Sequence, residues 1–160
     1  MRSRLIIVLM GICALSGCSA TARLYPVKGP LSTQSPSPVY LAKMTGLLNS
    51  GSFSVVLSDG EIGKGRWGEV PRPKTSNDPI TSINSSAPNL SAEWDTVYGT
   101  GFYVAHVLGA KLYGRAVVTG SRGTILNVEI YRPLDQAENK AGTPKGVARD
   151  NKDNIYKLVF

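Results

Sequence analysis

Apolar and polar residues alternate along several short stretches of the chain, the period of a strand with one buried face. Residues 39–48 form the first such stretch, and 52–58 the second, with Phe53, Val55 and Leu57 on one face. Asp59-Gly60 follows, a pair suited to the left-handed backbone of a tight hairpin, and residues 61–70 return. Residues 110–119 and 124–132 make a second pair around Gly120-Ser121-Arg122-Gly123, where Leu126, Val128 and Ile130 alternate with Ile125, Asn127 and Glu129. Residues 145–149 and 155–160 read as a last hairpin, with Tyr156, Leu158 and Phe160 on one side.

The remaining segments break this period. Residues 71–91 carry Pro71, Pro73, Pro79 and Pro88 and read as a long loop. Residues 92–98 suit a short helix capped by Ser91, with Trp94 and Tyr98 four apart on one face. The run 102–108 fits a strand or a helix. Residues 19–38, with Pro26, Pro30, Pro36 and Pro38 among Ser, Thr and Ala, read as a tether. The pattern predicts a mainly β fold, an antiparallel meander or small partly open barrel with one or two short helices, preceded by a signal helix. Composition agrees: 17 Gly and 10 Pro among 160 residues, with only 18% charged, favour turn-rich β structure over a helical bundle. The length suits one domain, placed at 39–160.

The amino terminus has its own logic. Arg2 and Arg4 precede an apolar run over 5–15, then Ser16, Gly17 and Cys18. Those 11 residues reach roughly 17 Å as a helix, whereas a bilayer needs about 20 residues. The segment 1–17 is therefore an export signal rather than a permanent span. Leu15-Ser16-Gly17-Cys18 resembles the lipobox of bacterial lipoproteins. The resemblance implies that the Cys18 thiol receives a diacylglyceryl group, that cleavage falls just before it, and that acyl chains such as palmitate hold the protein on a membrane. Ser19 in the following position implies the outer membrane of a Gram-negative bacterium, periplasmic side. The Gly-punctuated short strands also resemble small lipoproteins whose mature part is a β-meander.

This changes the cysteine and charge arithmetic. On that resemblance Cys13 would leave with the signal and Cys18 would be modified, so the folded part would keep no thiol for a disulfide, a metal or a nucleophile. Loss of Arg2 and Arg4 leaves a formal charge of +5 in place of +7. The cations are dispersed, without the dense block of a nucleic-acid site, and nucleic acid is not expected as a partner.

Candidate chemistry is sparse. The chain lacks a G-x-S-x-G elbow and has one histidine, His106, which reads as a partly buried structural residue beside Val104, Val107 and Leu108. Glu61, Glu69, Glu93, Asp95 and Glu129 are the available acids for a paired-carboxylate mechanism. Asp150-Asn151-Lys152-Asp153-Asn154 lacks the spacing of a calcium loop and reads as a hairpin tip. No cofactor, metal site or catalytic residue is expected. The densest aromatic group is Trp94, Tyr98, Phe102 and Tyr103, with His106 close in sequence; it reads as a candidate ligand-binding set. The expected function is a non-enzymatic structural or interaction module, bound to the bilayer through acylated Cys18 and meeting an envelope protein or glycan. The alternative is a periplasmic glycan- or ligand-binding module built on the aromatic cluster.

Overall fold

The computed structural model describes residues 18–47, 49–69, 88–108, 110, 112–135 and 140–160. The expected signal 1–17 and most of the expected loop 71–91 lie outside the described residues. Eight antiparallel strands close into a barrel: β1 (Cys18–Lys28), β2 (Tyr40–Leu47), β3 (Ser50–Val56), β4 (Ile62–Glu69), β5 (Leu112–Gly120), β6 (Ile125–Arg132), β9 (Lys145–Asp150) and β10 (Ile155–Val159). The two-residue strands β7 (Leu134–Asp135) and β8 (Lys140–Ala141) form a separate ladder between β6 and β9. Each long strand pairs with its neighbours in the chain, so the topology is up-and-down, and β1 closes the barrel against both β2 and β10.

Closure corrects the reading of residues 19–38 as a tether. Residues 18–24 pair with β2 and residues 23–28 with β10. Pro26 interrupted the reading because proline has no N–H for a ladder. It sits where pairing with β2 has already ended at Leu24, beside a register shift opposite β10, a place that tolerates proline. Pro30–Thr33 then forms a 3-10 turn that caps this end of the barrel, and Leu31 packs against the core.

An eight-stranded barrel has an interior about wide enough for side chains to fill. Here large residues (Leu24, Tyr40, Phe53, Leu126, Tyr156, Leu158) alternate with small ones (Ala22, Ala42, Ala116, Ala148), all buried. At Gly65 a Cβ would run into the backbone of Val117, so only glycine lets β4 and β5 approach this closely. Asp59 (φ 62°) and Gly60 (φ 78°) both adopt left-handed backbone. Their loop is three residues long, and Leu57 N–H donates to Glu61 O at 2.8 Å to close the hairpin.

Two buried carboxylates organise the capped end. Glu61 accepts from Thr124 Oγ1 (2.6 Å), Arg122 N (2.8 Å) and Thr124 N (3.2 Å). These bonds, Thr124's hydroxyl first, hold its carboxyl below the usual range against the opposing effect of burial. Asp150 accepts from Lys152 N, Asn154 N and Asn154 Nδ2, each at 2.9 Å, and from Tyr156 Oη at 2.7 Å. The 150–154 segment is thus a hairpin tip whose acid is occupied by the turn's own donors.

Candidate functional site

Among the described residues the single α-helix, α1 (Ser91–Tyr98), is eight residues long. A helix this short is marginal alone, so contacts with the barrel wall must hold it. Leu90, not Ser91, occupies the cap position, and Asn89 Oδ1 accepts the Ser91 N–H at 2.7 Å. Next comes the wide helical turn Tyr103–Val107, closed by Leu108 N–H on Tyr103 O at 2.8 Å, which resolves the ambiguous run 102–108.

The anchor for α1 is an ion pair on the outer face of the sheet. Arg115 on β5 and Glu129 on β6 face each other in register, 4% and 0% exposed, with Arg115 Nε 3.3 Å from Glu129 Oε1. Glu129 Oε1 also accepts Leu90 N–H (3.1 Å), Oε2 accepts Trp94 Nε1–H (2.8 Å), and Arg115 Nη2 donates to Pro88 O. A buried ion pair is tolerated only when its remaining valences are met by further bonds, and the entry to α1 meets them. Arg149 on β9 adds an ion pair to buried Glu93 (3.1 Å) and another to Asp153 (2.9 Å); the bonds to Asp153 and Glu93 push its guanidinium further toward the charged form. Asp95 Oδ1 accepts Tyr103 N–H (2.9 Å) and ties α1 to the wide turn. Glu61, Glu93, Asp95 and Glu129, four acids open to a paired-carboxylate role, each hold such a structural bond.

Trp94, Tyr98, Phe102, Tyr103 and His106 do come together, outside the barrel against β6 and β9. Trp94 stacks on Tyr98 (5.5 Å between ring centroids) and Phe102 (6.0 Å), and Tyr98 stacks on Phe102 (4.7 Å). Trp94 and Tyr103 are fully buried and cannot meet a ligand. Tyr98 and Phe102 are half-buried. His106 is exposed, contrary to the reading of a partly buried residue, with its ring 4.6 Å from that of Phe102. The wide turn rotates Tyr103 and Val107 onto the sheet and leaves Val104 and His106 in solvent. Lys145 Nζ lies 5.3 Å from the Phe102 centroid, and Lys157 Nζ 5.2 Å from that of Tyr98. Burial pushes the Tyr98 phenol up to about 12, and its hydroxyl donates to Gly146 O at 3.3 Å.

Cys18 heads β1 opposite Gly46, at the barrel end away from the Pro30–Thr33 cap. Among the described residues no group of three His, Cys, Asp or Glu is placed to hold a metal, and no helix is long and apolar enough to cross a membrane. The residues missed in sequence are Arg115 and its role toward Glu129. The available signal was Glu129 at an outward strand position next to an aromatic, Tyr131, two residues on. No protein-family model, curated protein or solved structure matches this chain.

Proposed function

We propose that this chain is a lipid-anchored cell-envelope lipoprotein, held by acylated Cys18 at the periplasmic side of an outer membrane, and that its barrel is a non-enzymatic structural or interaction module. The observation that carries the reading is the lipobox-like run Leu15-Ser16-Gly17-Cys18 together with the pairing of Cys18 to Gly46 in the β1–β2 ladder, so that cleavage before Cys18 would keep every described strand of the barrel. The structural employment of Glu61, Glu93, Asp95 and Glu129 supports a non-catalytic role. Two or three acyl chains give durable attachment, since each buried methylene contributes about 0.8 kcal/mol. Mass spectrometry of the native protein tests the anchor: the expected mature chain starts at acylated Cys18, and a free thiol or a retained leader would overturn it. Cys18→Ala is expected to move a folded protein into the soluble fraction.

A glycan- or ligand-binding role is the second reading, now confined to Tyr98, Phe102 and His106 beside Lys145 and Lys157, where exposed histidine and two cations favour an anionic ligand. Titration of tryptophan fluorescence with anionic envelope glycans is expected to shift the Trp94 signal through Tyr98; an unchanged spectrum removes this reading.

A further inference from the structure

We infer that the outer wall of β1–β4 is a membrane-contact face, on which the barrel lies against an anionic bilayer. Strand register places its side chains. Thr21, Lys43, Ser54 and Lys64 form one row across the four strands; Arg23, Leu41, Val56 and Ile62 form the next. Arg66 lies one outward position along β4 from Lys64. Arg23 is diagonal to Lys43, a separation of about 7–8 Å, and Lys43 and Lys64 flank Ser54 at about 10 Å from each other. All four cations are exposed, and among the described residues none forms an ion pair. No acidic side chain faces outward from the described positions of these four strands, because Glu69 falls on the inward-facing register with Gly65 and Trp67.

Beside the cations, Leu41 (56% exposed), Val56 (53%) and Ile62 (49%) adjoin across three strands. Cations bordering exposed aliphatic side chains suit phosphate headgroups over an acyl boundary. A second copy of the chain seated symmetrically here would set cations against cations, and a soluble polyanion has no use for the aliphatic strip. The wall also runs from Cys18. Cys18 is itself paired with Gly46 in the β1–β2 ladder, so an acyl anchor there would sit within the wall's own strands and favour a barrel lying on its side. That orientation rests on the acylation of Cys18; the wall itself does not.

The test uses the full chain carrying Cys18→Ser, so that acylation plays no part, and vesicles of phosphatidylglycerol with phosphatidylethanolamine against vesicles of phosphatidylcholine. Adding Arg23→Gln, Lys43→Gln and Lys64→Gln is expected to weaken partitioning to the anionic vesicles about 100-fold, at about 1 kcal/mol per cation, and to leave phosphatidylcholine partitioning unchanged. Any leader contribution is common to both chains. Leu41→Thr with Val56→Thr is expected to weaken anionic-vesicle binding without altering its salt dependence. Equal anionic-vesicle binding by the triple variant, self-association lost in that variant, or binding to soluble polyphosphate as tight as to vesicles would each overturn the assignment. An unmodified Cys18 in the native protein would sink the anchor and leave this vesicle result standing.

Discussion

Arg115 and Arg66 lie on adjacent strands of the same barrel and both point outward, yet one is 4% exposed in an ion pair and the other stands in solvent. They mark two walls. The wall of β5, β6 and β9 is covered by α1 and the wide turn, and the buried charges beneath the cover are paired: Arg115 with Glu129, and Glu93 with Arg149. The wall of β1–β4 is bare, and its cations are unpaired among the described residues. The difference follows from water. Solvent stabilises an isolated exposed lysine or arginine, while a covered charge must find its stabilisation in the protein. A covered wall is therefore specified residue by residue, and a bare wall keeps its charges available to something outside the molecule.

The sharpest way to break the contrast is Glu129→Ala. It removes the carboxylate paired with Arg115 under α1 and frees the N–H groups of Leu90 and Trp94, so about 3–5 kcal/mol of stability is expected to be lost in urea titration, with Trp94 fluorescence moving toward that of exposed indole. A loss below about 1 kcal/mol would show that the pair does not hold the cover.

The capped end of the barrel offers a middle-sized test through pH. Glu61 ionises more readily in the fold than in the unfolded chain, so its contribution is present above the unfolded value of about 4.3 and disappears as pH falls through the folded-state value. Thr124→Val removes the largest cause of that shift. The acid-unfolding midpoint followed by circular dichroism is expected to move to higher pH, with about 1–2 kcal/mol lost at neutral pH.

Inside the barrel each side supplies one buried tyrosine, Tyr40 from β2 and Tyr156 from β10, with rings 6.0 Å apart. The hydroxyl of Tyr156 bonds Asp150, whereas that of Tyr40 has no partner among the described residues. Tyr156→Phe is expected to cost about 1 kcal/mol and Tyr40→Phe about zero, or to stabilise slightly, by thermal denaturation. The smallest effect belongs to the bare wall. Lys43→Gln or Lys64→Gln is expected to change stability by less than about 0.5 kcal/mol, and a larger loss would mean that the wall is not free.

Most strands were legible because alternation is a local signal: Phe53 with Val55, and Leu126 with Val128 and Ile130, announce an inner face without reference to other strands. Asp59-Gly60 was legible for the same reason, since positive φ is a property of those two residues. β1 was not, because its small, polar and proline-bearing residues resemble a linker until β2 and β10 are both present to pair with it. The aromatic cluster was half legible. Four-residue spacing put Trp94 beside Tyr98, but the burial of Trp94 and Tyr103 and the exposure of His106 depend on how a five-residue turn rotates against the sheet.

The chain's own order of residues was enough to establish short strands, tight turns and one brief helix, all consequences of periodicity and backbone preference over a few positions. Closure of the barrel, the pairing of Arg115 with Glu129 and the separation into a covered and a bare wall arose only on folding. Each joins residues distant along the chain, 14 positions for the ion pair and 136 for Arg23 and Val159. No local pattern records which groups meet once water has been excluded between them.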